Sequence, residues 1–150
     1  MVQIKGSDDL VVQVVQHNFT NQMTSTTSTS FQSTWCTGAI TPSSSSSKIL
    51  VMANGAVGLD AYSNQGINCQ LAIYRGGTAV WKTGWASWTN DYRIPANVFY
   101  VDSSATTSAT TYTIYIRNES TYGGARTTRY STGRQTSTDN ASLVLMEIAT

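Results

Sequence analysis

Apolar side chains in this sequence recur at every second position, in short runs, and almost nowhere at helical spacing. Along Thr111–Arg117, Tyr112, Ile114 and Ile116 fall on one side, with Thr113, Tyr115 and Arg117 on the other. A strand turns successive side chains to opposite faces, so such a run buries one face of a sheet and wets the other. The pattern returns in Leu10–Gln16, Phe31–Ile40, Lys48–Ala53, Ile67–Arg75, Ala79–Lys82, Asn97–Asp102 and Ser142–Ala149. These runs are rich in Val, Ile, Thr, Tyr and Trp and are bounded by Gly, Ser and Asn, the residue choice of strands and turns. Heptads and internal repeats are absent. The chain therefore reads as all-β, an antiparallel two-sheet sandwich, jelly-roll-like, of about eight strands.

Local expectations follow from the same parity. Phe31, Ser33 and Trp35 share one face, and Gln32, Thr34 and Cys36 the other. Arg75-Gly76-Gly77-Thr78 is a hairpin turn, because paired glycines supply the positive φ that such turns need. Asn97–Asp102 and Thr111–Arg117 form a further pair. Thr20–Ser30 is a polar stretch without period, and Thr41 through Ser47 a tight surface connection. Trp81, Trp85, Trp88 and Tyr92 are spaced four, three and four, which would suit one face of a helix. Thr83, Gly84, Thr89 and Asn90 are poor helix formers, so a hairpin and loop is the preferred reading.

At 150 residues the chain is one domain, spanning 1–150, with residues 1–9 a short segment either extended or in contact with a subunit or partner. Its surface is polar but barely ionic: 19 Ser and 23 Thr accompany a formal net charge of only +1. A binder of nucleic acid works by neutralising phosphates, and this balance leaves little to do so with. Four Trp, eight Tyr and three Phe at that charge are the opposite of a disordered composition. Acids stand where a signal peptide would carry its apolar stretch, and no apolar run approaches a membrane span. The expectation is a soluble protein assembled in a cytoplasm, without nucleic acid, membrane or cofactor. Cys36 and Cys69 read as reduced core thiols in preference to a bridge.

Catalytic chemistry is not legible. The single histidine, His17, ends a β-branched run and reads as a surface or interface residue. Two cysteines 33 positions apart with one distant histidine make no zinc site. Asp60, Asp91, Asp102, Glu119, Asp139 and Glu147 are scattered, with no spacing that singles out a glycosidase pair. Gly123-Gly124 is followed by Ala125-Arg126, which is not a phosphate-cradling loop.

Three features are left to carry function. Trp81, Trp85, Trp88 and Tyr92 sit among small polar residues, as in either a sugar-stacking platform or a subunit interface, with core packing for some of the tryptophans. Arg117, Arg126, Arg129 and Arg134 share a Gly-punctuated, locally positive segment with Tyr122 and Tyr130, a composition suited to a protein interface or an anionic partner. Glu147 falls on the same face as Leu143 and Leu145, where an unpaired carboxylate is costly. It is expected to meet an arginine, across a subunit boundary.

Four stretches taken in order span nearly the whole chain. They are Leu10-Val11-Val12-Gln13-Val14-Val15, Thr37 through Thr41-Pro42 and Ser43–Ser47 into Lys48-Ile49-Leu50-Val51, the turn Leu71–Thr78, and Leu143-Val144-Leu145-Met146-Glu147-Ile148. Together they resemble a family of small virion proteins of tailed bacteriophages, especially those of marine and freshwater bacteria including cyanobacteria; the Thr-Pro-Ser run is the most specific of them. The resemblance implies a β-rich, usually trimeric component of the virion surface that lacks catalytic residues. It implies a capsid decoration (cement) protein contacting the major capsid protein, or alternatively a tail-fibre or receptor-binding module contacting fibre components and host surface glycan. The absence of a coiled-coil shaft or repeats tilts this toward decoration.

Overall fold

The computed structural model describes residues 10–60, 67–87, 93–119, 127–133 and 140–150. Ten strands run through them: β1 (Val11–Thr20), β2 (Met23–Thr26), β3 (Gln32–Ile40), β4 (Lys48–Asp60), β5 (Ile67–Arg75), β6 (Thr78–Ser87), β7 (Arg93–Asp102), β8 (Thr110–Asn118), β9 (Thr127–Ser131) and β10 (Asn140–Ile148). All pairings are antiparallel, in a six-stranded sheet (β1-β10-β4-β9-β2, with β7 on β4) and a four-stranded one (β3-β8-β5-β6).

The topology becomes simple once β2 and β9 are set aside. The other eight strands nest as one long folded hairpin: β1 with β10, β3 with β8, β4 with β7, and β5 with β6 innermost. Two further pairings, β10 with β4 and β8 with β5, roll that hairpin into two layers. This is a jelly roll. At its centre Gly76 and Gly77, at φ 53° and 92°, close the β5–β6 turn as the glycine pair suggested.

Alternation explains the core. Ile49, Val51, Ala53 and Val57 of β4, Val98 of β7 and Leu143 and Leu145 of β10 face Cys36, Leu71, Ile73, Tyr112, Ile114 and Ile116 of the opposite sheet, all buried. Cys36 and Cys69 are free and buried, and burial pushes both thiols up to about 12.

Four expectations need correction. Asn97–Asp102 does not pair with Thr111–Arg117: β7 lies along β4, in the other sheet. The polar Thr20–Ser30 stretch contains β2, and the basic segment after Arg117 contains β9, which pair with each other. β10 takes the first half of one edge of β4 and β9 the second half, so each of the two outer rows is two short strands end to end. The β1/β2 row breaks at Asn21, a non-glycine residue at φ 53°. Trp35 does not share a face with Phe31, because an irregular register between Ser33 and Thr37 turns it in between the sheets. There it stacks on Tyr130 (5.1 Å, 17°) and meets Phe19 at 5.0 Å. His17, read as a surface or interface residue, is half-buried, and its ring fills the space that Gly38 leaves by lacking a Cβ.

Gly55 plays the corresponding part for Tyr130. A Cβ there would stand 2.7 Å from the phenol carbon and oxygen of that buried ring. Gly55→Ala is accordingly expected to destabilise the fold by about 1–3 kcal/mol, read as a lower denaturant midpoint at unchanged slope.

Candidate functional site

The tryptophan and arginine groupings are each only partly covered by the described residues. Trp81 lies on β6, half-buried against the core. Trp85 stands opposite Cys69 in the β5–β6 ladder, so the hairpin reading holds as far as Ser87. The side chain of Trp85, together with Trp88 and Tyr92, lies outside the described residues. So do Tyr122, Arg126 and Arg134.

Arg117 and Arg129, grouped in sequence, sit on opposite sheets, on β8 and β9. Tyr130 is no surface residue. It is fully buried, donates its hydroxyl to Asn54 O at 3.1 Å, and accepts at its own carbonyl from Trp35 Nε1 at 3.3 Å. Burial raises its phenol well above 10.

Glu147 is as buried as its parity requires, at 0% exposure, yet its partners are neutral. Gln13 Nε2 donates to it at 2.6 Å, and Ser43 donates through both its backbone N (2.8 Å) and its Oγ (2.7 Å). Burial acts to raise the carboxyl, but these hydrogen bonds, with one from Ser47, outweigh it and hold the group at about 2. The expected arginine is therefore replaced by donors from β1 and the Thr41–Ser47 connection of the same chain. The sheet-to-loop corner is tied further by Gln13 Nε2 to Thr41 O at 2.7 Å.

A second buried carboxylate does have its arginine. Asp102, at the end of β7, accepts from Arg75 Nη1 and from the Tyr112 hydroxyl, each at 2.7 Å. This joins the last residues of β5 and β7 to the start of β8 across the two sheets, and burial with the adjacent carboxylate raises the Tyr112 phenol.

The outward side of the four-stranded sheet holds a cluster that the sequence reading did not assemble. Tyr74 of β5 and Tyr115 of β8 stack at 3.9 Å, and Phe31, just before β3, meets Tyr74 edge-on at 5.9 Å. Arg117 and Lys82 stand over the Phe31 ring at 4.9 and 5.6 Å from its centroid. Arg117 Nε donates to Gln70 Oε1 at 2.8 Å, and Gln70 Nε2 to Glu119 Oε1 at 2.6 Å. Outward parity in β5 and β8 is the signal that finds Tyr74, Tyr115 and Arg117; nothing local brings Phe31 onto them. The arrangement offers flat aromatic surface beside oriented polar groups. Among the described residues, no three His, Cys, Asp or Glu side chains gather as a metal site requires.

No protein-family model matches this sequence, and no curated protein does. Solved structures match it in fold. A chain in the structure of infectious bursal disease virus, Gx strain, aligns over 99% of this chain and 43% of its own length, at TM-score 0.50 and 15% identity. The VP2 subviral particle of infectious bursal disease virus aligns over 99% of this chain and 43% of its own, at TM-score 0.46 and 14% identity. This chain thus spans less than half the length of the structures it resembles, and at such identities the likeness is one of fold.

Proposed function

We propose that this chain is a non-enzymatic structural protein of a virion, placed on the particle surface, and specifically a homotrimeric decoration protein of a tailed bacteriophage contacting the major capsid protein. The observation that carries the reading is the jelly roll itself, which over 99% of the chain follows part of a chain from a solved virus structure. The surface supports it: weakly charged sheets whose edges at β1, β2, β3, β6 and β7 are paired by no other described strand gain from closed symmetry, which hides edges from uncontrolled pairing. The Trp81–Tyr92 and Arg117–Arg134 regions are the proposed subunit and capsid contacts.

One observation favours a second reading, a tail-fibre or receptor-binding module for host surface glycan. The Tyr74–Tyr115 stack beside Gln70 and Arg117 combines ring faces with hydrogen-bonding groups, as recognition of a sugar requires.

Purified protein added to particles lacking it is expected to bind saturably and to raise the temperature at which they release their genome. Absence of binding to such particles overturns the decoration reading. Saturable binding to host cells, competed by purified surface glycan and abolished by Tyr115→Ala, supports the second.

A further inference from the structure

The outward side of the six-stranded sheet is apolar where a solvated sheet face would alternate to polar. Register sets its side chains in rows across the strands. One row runs Val14, Met146, Leu50, Val101 from β1 through β10 and β4 to β7. The next runs Gln16, Val144, Met52, Phe99. Val11, Ile148 and Lys48 form a row at one end, and Asn18 with Ser142, and Asn54 with Asn97, a polar border at the other.

These residues are not marginally exposed. Phe99 is 64% exposed, Val14 54% and Val101 48%. Of the seven large apolar side chains exposed among the described residues, only Met23 lies away from this face and the Leu10–Val12 segment leading into it.

Strand and residue spacings give the apolar rows roughly 400 Å² of face, the size of the largest apolar patch on a typical soluble chain, a patch that is often functional. A stable protein contact takes about 800 Å² from each partner. The apolar rows supply about half of that, and the asparagines, Gln16, Ser142 and Lys48 around them supply a polar rim, the anatomy of an interface. Lys48 is the one charged residue in these rows. What covers such a face must itself be apolar and nearly uncharged, and this chain presents a surface of that kind.

The relief of the face specifies the partner further. Phe99, its most exposed large side chain, helps line a shallow hollow of about 300 Å³ between β7, β4 and β10, together with Met52, Val144, Asn54, Asn97 and Ser142. Projection and hollow lie side by side on one surface. A two-fold axis through the face exchanges them, so that each Phe99 enters the hollow of the other copy, as a self-complementary contact demands.

We infer that this face is covered by a second copy of the same chain, packed two-fold with Phe99 as the reciprocal knob. The inference rests on the proposed reading only in requiring self-association, since three-fold contacts would use other surfaces.

Light scattering and sedimentation of the full chain, alone and with Phe99→Asp, test it. The wild-type mass is expected to be an even multiple of the chain, two or six copies, and Phe99→Asp is expected to halve it with the circular dichroism spectrum unchanged. Asn97→Glu, at the rim, is a second variant with the same expectation should the first fail to fold. A wild-type monomer at every concentration overturns the inference and points to another occupant, whether residues 1–9 or a different protein. A trimer whose mass neither variant changes also overturns it, while leaving the virion reading standing. A two-fold dimer that binds no particle does the reverse.

Discussion

Glu147→Ala is expected to lower stability by about 2 kcal/mol, because it removes a buried acceptor from Gln13 Nε2, Ser43 N, Ser43 Oγ and the Ser47 side chain together. A donor left without an acceptor costs about 1 kcal/mol or more where it is buried, and less at the exposed Ser43, which water reaches. Against a total of about 5–15 kcal/mol for a domain, that is a large fraction. Glu147→Gln separates charge from occupancy, since the amide keeps the volume and one acceptor but turns an NH₂ toward groups that also donate. It is expected to lose part of the same stability.

The ionisation of Glu147 makes this stability depend on pH in a definite direction. The carboxyl stands at about 2 in the fold against 4.5 as the ordinary value, so the unfolded chain binds its proton more tightly than the folded one. The contribution is complete above the unfolded value and is lost as pH falls from there through about 2. Denaturation of wild type and Glu147→Gln at a series of pH values should therefore show the gap between them closing from about pH 5 downward. A gap that stays constant to pH 3 would mean that the carboxylate's charge contributes nothing.

Tyr130→Ala is expected to cost about 3–5 kcal/mol, the range for emptying a large aromatic site in a core. The ring is fully buried, stacks on Trp35, occupies the space over Gly55, and carries a hydroxyl bonded to Asn54 O. Tyr130→Phe deletes only the last of these and should cost about 1 kcal/mol. The double variant Gly55→Ala/Tyr130→Ala gives the sharper result. With the ring gone, the added methyl has nothing to displace, so the penalty of Gly55→Ala should vanish. Equal penalties in both backgrounds would show that Gly55 is required for its backbone and not for the ring above it.

What could be read from the sequence divides along a physical line. The alternation in β8 and the glycine pair at Gly76-Gly77 are local signals, and both elements lie where local rules put them. Which strand lies beside which is settled by burying two faces at once, and β7 accordingly went to β4 although β8 follows it in sequence. β2 escaped notice because Met23–Thr26 presents no run of apolar side chains; it holds its place through ladder bonds to β9. Arg129 disguised β9 as part of a basic loop, although Thr128 and Tyr130 on either side of it are buried.

The same line runs through the candidate sites. That Glu147 is buried follows from its parity with Leu143 and Leu145. That Gln13 and Ser43 satisfy it depends on residues 134 and 104 positions away. The apolar outer face was hidden for a related reason. Leu50, Met52, Val144 and Met146 lie in runs apolar on both sides, which read equally as strands covered on both faces. Only the fold shows that one of those sides has none of the described residues over it.

The nesting of the strands also sets an order of events during translation. β5 and β6 adjoin at a tight turn and can close as soon as both have left the ribosome, with β4·β7 and β3·β8 following as each later strand emerges. β1 is completed before any of them, yet its partner β10 is the last made of the ten strands described. Until β10 is made the valine-rich β1 therefore waits as an unpaired ribbon, the state in which nascent chains associate wrongly. Slowing translation anywhere between β1 and β10, as across the β5–β6 turn, should lengthen that exposure and lower the soluble yield, whereas slowing it across residues 1–9 should not.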